Sequence, residues 1–186
     1  HWHAVLELVL DALVGVIEGV CSELDVPYFS CRGYTSQSEM WAGAQRLRGW
    51  AKHGQTPIIL NFGDHDPSGK DMTRDITDRL ALFAGDVEVR RLALNMDQIN
   101  HFHPPPNPAK ITDSRAEAYI AEFGGDSWEL DALEPIVIVE LARRTIESLR
   151  DDEKWARAVE KREHDRKVLT AAAGRWDEVE DLLVAK

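Results

Sequence analysis

Apolar runs of strand length alternate with longer stretches of helical periodicity along the first half of the chain. Val5 to Leu10, Val26 to Arg32, Pro57 to Phe62 and Val87 to Asn95 are short and rich in branched and aromatic residues, which predicts strands. Between them, Asp11 to Leu24 carries apolar residues at Leu13, Val16, Ile17 and Val20, the spacing of one helix face. Ser36 to His53 opens with Ser36 and, three residues on, Glu39, the pattern of a capping box, and Gly54 can stop it. Lys70 to Ala84 places Met72, Ile76, Leu80 and Phe83 on one side and ends before Gly85.

A strand-helix alternation with four strands calls for a parallel sheet, because each parallel connection needs a crossover with helices on the faces. The expected fold is therefore α/β and Rossmann-like, with a central parallel sheet of about four strands. After Asn95 the rhythm stops. Met96 to Phe102 predicts one or two helical turns, and Pro104 to Pro108 an extended segment poor in donors. Thr112 to Phe123 and Pro135 to Leu149 predict helices, and Trp128 to Leu133 a short strand or loop. From Asp151 the chain is charge-rich and helix-prone, which divides it into an α/β domain, 1–150, and a helical extension, 151–186. Basic residues there, such as Lys154, Arg157 and Arg166, alternate with acids as on a solvated, salt-bridged face.

Composition narrows the function classes. At 186 residues and 44% apolar content the chain can bury a core without staples. The most apolar early run, Val5 to Val20, is interrupted by Glu7, Asp11, Gly15 and Glu18, so no membrane span is expected. Two cysteines, Cys21 and Cys31, make neither a disulfide framework nor a zinc site, and a reducing cytoplasm is the simplest setting. The net charge of −11 argues against a non-specific nucleic-acid coat, which would draw on clustered Lys and Arg. Metal cations can still bridge carboxylates to phosphate. The chain starts at His1 rather than Met, which leaves room for an upstream domain or a partner subunit.

The candidate chemistry centres on Pro57 to Gly69, PIILNFGDHDPSG. The third predicted strand ends in a glycine followed by Asp64 and Asp66. Carboxyl ends of parallel strands form the ligand-binding crevice of open α/β sheets, and an Asp-X-Asp pair there can hold a divalent cation. Hard oxygen ligands suit Mg²⁺, with Mn²⁺ as its substitute. The plainer alternative makes Asp64 a helix cap and Asp66 a turn residue. His65, between them, should face away from the side the two acids share.

Phe62 to Gly69, FGDHDPSG, resembles the Asp-X-Asp motif of Toprim domains, in the version found in type IIB topoisomerase A subunits and in stand-alone phage and bacterial Toprim proteins. Arg32 to Ser36, Pro104 to Lys110 and Trp128 to Leu133 resemble segments of the stand-alone proteins. The resemblance implies a Toprim fold, Mg²⁺ on Asp64 and Asp66, and phosphoryl transfer on DNA, with RNA as the alternative. It also implies a glutamate at the end of the first strand as general acid or base. Relatives tend to carry Glu-Lys at the places held here by Val9 and Leu10. Glu7, two residues earlier on the same strand face, is the first candidate for that acid, and Asp11 is the second, as a further ligand. Glu129 and Asp131 are candidate additional metal ligands, and Arg32, Tyr34, Ser68, Lys70 and Lys110 candidate nucleic-acid contacts. Two rival readings stand beside this one. The first is a degenerate Toprim module that binds nucleic acid or a protein without cutting. The second is a phosphatase or phosphotransferase in which Asp64 attacks phosphate and Asp66 is the acid or base.

Overall fold

The computed structural model describes residues 4–10, 13–30 and 35–184. The chain divides into two compact units, His3–Leu149 and a C-terminal unit, Arg150–Lys186. The first is mixed α/β. Its elements begin with β1 (Ala4–Leu10), α1 (Val14–Leu24), β2 (Tyr28–Ser30), α2 (Gln37–Ala51), β3 (Thr56–Phe62), α3 (Pro67–Ala84) and β4 (Glu88–Ala93). They continue with α4 (Met96–Phe102), β5 (Asn107–Pro108), α5 (Ala116–Phe123), β6 (Asp126–Ser127), a 3₁₀ turn at Leu130–Ala132 and α6 (Pro135–Ser148). The C-terminal unit holds α7 (Asp152–Ala173) and α8 (Trp176–Val184). No helix among the described residues is long and apolar enough to cross a membrane.

β1 to β4 pair in parallel in the order β2-β1-β3-β4. The chain leaves β1 through α1 for β2 on one side, then returns through α2 to β3 on the other side and moves on to β4. The direction of travel across the sheet thus reverses at β1. Right-handed crossovers put α1 on one face and α2 and α3 on the other, and the packing agrees: α2 lies against α3, whereas α1 lies against α6. β3 is central, and Pro57 to Phe62 are all buried, as a strand covered on both faces requires. On the α2–α3 side, Met40, Ala44 and Leu47 meet Ile59, Ile76 and Leu80. α1 contributes buried Ile17, Val20, Cys21 and Leu24, and α6 contributes Ile138, Ala142 and Ile146. Burial pushes the Cys21 thiol up to about 11, which makes it an inert packing residue at neutral pH.

Helix ends follow local chemistry, and they move three expected boundaries. α2 starts where Ser36 Oγ accepts from the Glu39 amide at 3.2 Å, as the capping pattern predicts. α3 starts at Pro67, not Lys70, because Asp66 caps it and a proline at the first position needs no amide partner. α5 starts at Ala116, not Thr112, since Lys110 to Asp113 form a turn in which the Asp113 amide reaches the Lys110 carbonyl at 3.0 Å. The third shift is in the proline-rich segment, whose end is a strand: β5 pairs antiparallel with β6.

Leu47 is fully buried between α2 and the sheet. Leu47→Ala should lower the unfolding free energy by about 2–5 kcal/mol, read from the urea midpoint at unchanged slope.

Candidate functional site

The loop from Gly63 to Asp66 carries the chain from the top of β3 into α3. Gly63 still belongs to the sheet through its amide, 2.8 Å from the Ala93 carbonyl, and its own carbonyl accepts from the Leu94 amide at 2.8 Å. Asp64 and Asp66 then follow at the carboxyl end of the central strand, beside β1 and at the reversal of strand order. Both are half-buried.

Each carboxylate is held by a main-chain amide. Asp64 Oδ1 accepts from the Leu130 amide at 2.7 Å. Asp66 Oδ1 accepts from the Gly69 amide at 2.6 Å, and the Ser68 hydroxyl donates to both Asp66 oxygens at 3.0 and 3.1 Å. The capping chemistry is therefore present with the expected roles exchanged: Asp66 caps the helix, and Asp64 pins a distant segment. These bonds orient both acids. Gly69 allows the closure: a Cβ there would lie 2.2 Å from the Asp64 carbonyl oxygen and 3.1 Å from Asp66 Oδ1.

Arg91, on β4, sits under the loop and went unnoticed in sequence. Its guanidinium donates to the carbonyl of Gly63 at 2.8 Å, to that of Asp64, to that of Gly69 at 3.1 Å and to Thr73 Oγ1. Its Nε reaches the Leu94 carbonyl at 3.3 Å. Burial pushes its pKa down to about 10 against the opposing pull of Asp64 and Asp66, so it stays cationic at neutral pH. Thr73 also donates to Oδ1 of the buried Asn61 at 2.8 Å, which ties α3 to β3. The available signal was an arginine on the same strand face as Val89.

His65, between the two acids, enters a core rather than solvent. It is almost fully buried and stands edge-on to Tyr119, Phe123 and Trp128. Its main chain pairs antiparallel with Trp128, through bonds of 2.8 and 2.9 Å. The Tyr119 hydroxyl lies 2.8 Å from His65 Nδ1 and 2.8 Å from the His65 carbonyl oxygen; with its proton on that carbonyl, it accepts from Nδ1–H. Burial first, and then Lys70 and Arg91, push the His65 pKa down to about 4, so the ring is neutral.

The remaining expected residues separate clearly. Glu7 pairs in register with Ile59, three positions before the end of β3, so its main chain stands roughly 10 Å below that strand end. Asp11, Arg32 and Tyr34 lie outside the described residues. Glu129 and Asp131 are exposed, and their segment meets the loop through the amide of Leu130 and the main chain of Trp128. Among the described residues no three of His, Cys, Asp and Glu converge as a cation site. Ser68 serves Asp66. Lys70 Nζ lies 5.0 Å from the centre of the Phe123 ring, and burial lowers its pKa. Lys110 is exposed at the end of β5.

Two outcomes follow from this geometry. Gly69→Ala should cost about 1–3 kcal/mol of stability, because the methyl group meets backbone rather than a movable side chain; urea denaturation reads the loss. His65 is depressed from 6.5 to about 4 on folding, so between those pH values the unfolded chain binds more protons and stability rises with pH. In chelator-treated protein, the stabilisation present above pH 6.5 should fall away as the pH drops towards 4. The loss is on the order of 3 kcal/mol relative to His65→Gln, measured by denaturation at a series of pH values.

No protein-family model matches this chain, and neither a curated protein nor a solved structure does.

Proposed function

We propose that the first unit is a Toprim-like domain of Rossmann-like topology that takes Mg²⁺, or Mn²⁺ in its place, on Asp64 and Asp66 and nicks or cleaves DNA, or RNA, by phosphoryl transfer. One observation carries this reading: both acids stand at the carboxyl end of β3 next to β1, where strand order reverses and open sheets of this kind bind ligands. The cation supplies neutralisation of the charge that spreads over the phosphoryl oxygens. The chain's own part is positional. Leu130 and Gly69 orient the two carboxylates through one oxygen each, and Arg91 holds the carbonyls beneath them inward. In a nuclease the nucleophile is water; in a topoisomerase it is a tyrosine supplied by another domain or a partner subunit.

A second reading, a module that grips phosphate through the cation without cutting it, draws on a specific observation. Val9 and Leu10 occupy the positions beside Asn61 and Phe62 at the top of β1, and Glu7 lies lower on the same strand. The phosphotransferase reading has less support, because Asp66, its acid or base, is engaged by Gly69 and Ser68.

Supercoiled plasmid incubated with the protein and Mg²⁺ or Mn²⁺ tests these directly. Metal-dependent nicking that falls at least ~10–100-fold in Asp64→Ala is the expected result. Calorimetric Mn²⁺ binding that Asp64→Ala abolishes, with the plasmid intact, would move the assignment to the non-cutting module. Hydrolysis of p-nitrophenyl phosphate without nicking would move it to the phosphotransferase.

A further inference from the structure

The C-terminal unit has two helices, yet neither contains a buried residue. Trp176, Leu182 and Leu183 of α8 and Leu169 of α7 are each more than half exposed. On α8 the residues Trp176, Val179, Leu182 and Leu183 fall on one stripe, flanked by Asp177, Glu178, Glu180 and Asp181, with no basic residue in the helix. A helix with so much apolar area in water is not a stable end state, and burial of that stripe is what it lacks.

α7 offers a matching surface. Ala158, Arg162, Arg166, Leu169 and Ala173 recur at steps of three or four along one face, with Lys161 beside Arg162, and line an open groove of about 840 Å³. Ala158 and Ala173 lie at its two ends, and Lys161, Arg162 and Arg166 lie between them. Asp165, in the same groove, is already paired with Lys161 at 2.5 Å, and Arg166 holds Glu163 at 2.7 Å in an exposed pair that is cheap to exchange. The groove is therefore basic where the flanks of α8 are acidic.

The two surfaces of one chain cannot meet. Gly174 keeps right-handed helical angles, φ −72° and ψ −11°, and the bonds from the Gly174 amide to Thr170 and from the Arg175 amide to Ala172 carry across the junction. α8 thus runs on from α7 instead of folding back along it. In an antiparallel pair of chains, α8 of each copy can lie along α7 of the other. The nine residues of α8 rise about 13 Å, and the groove from Ala158 to Ala173 about 22 Å, so the stripe fits within it.

We infer that the C-terminal unit is a dimerisation element, in which the acidic-flanked apolar stripe of α8 seats in the basic groove of α7 of a second copy of this chain, reciprocally about a two-fold axis. Such an arrangement is self-complementary, so both contacts form at once and the assembly closes at two chains.

Sedimentation velocity of the full chain, across a dilution series up to about 100 μM, a hundredfold above a micromolar Kd, tests this. A concentration-dependent dimer is expected, and Leu182→Asp with Leu183→Asp should raise its Kd more than about tenfold, with circular dichroism showing helix content retained. As an independent check, Arg162→Glu with Arg166→Glu should weaken the dimer, and adding Glu180→Lys with Asp181→Lys in the same chain should restore it. A monomer throughout the series would overturn the inference. So would a dimer indifferent to the Leu182 and Leu183 changes, or one that the second pair of charge reversals fails to rescue.

Discussion

A tight strand-to-helix turn leaves carbonyl oxygens pointing into the protein, and the rest of the candidate site depends on how that debt of donors is met. Here the Arg91 guanidinium meets it, donating to the carbonyls of Gly63, Asp64 and Gly69. A planar group with five N–H donors serves several carbonyls at once, which a lysine does not. Asp64 and Asp66 in turn favour the charged form of Arg91, against the burial that lowers its pKa to about 10. The turn is thereby held in place from beneath.

The second half of the unit is fastened to this turn by main chain. His65 pairs with Trp128, Asp64 accepts from Leu130, and β5 continues the same strip by pairing with β6. The aromatic side chains of Tyr119, Phe123 and Trp128 close over His65, with Lys70 above Phe123. What looks in sequence like an irregular region after Asn95 is thus the wall behind the acids. Its packing makes a neutral histidine part of the core.

The strand and helix alternation up to Ala93 was legible because each element carries its own periodicity and its own stop: Gly54, Gly85 and the cap at Ser36. The location of Asp64 and Asp66 at a strand end was legible for the same reason. The start of α3 at Pro67 was missed because Asp66 was weighed as a turn or metal residue before it was weighed as a cap. Arg91 and the surroundings of His65 were not readable, since their partners lie up to 63 residues away and no local pattern links them. Glu7 was chosen from the resemblance together with strand parity; parity names a face, and the register sets its main chain beside Ile59.

Because the Trp128–Leu130 segment grips the loop with peptide groups, the grip itself is indifferent to the side chains at Glu129 and Asp131. Chemistry displayed at those two positions is therefore open to exchange by evolution or by a protein engineer at little cost to the scaffold. Proline is the exception at 128 and 130, where a missing amide would unfasten the wall from the turn.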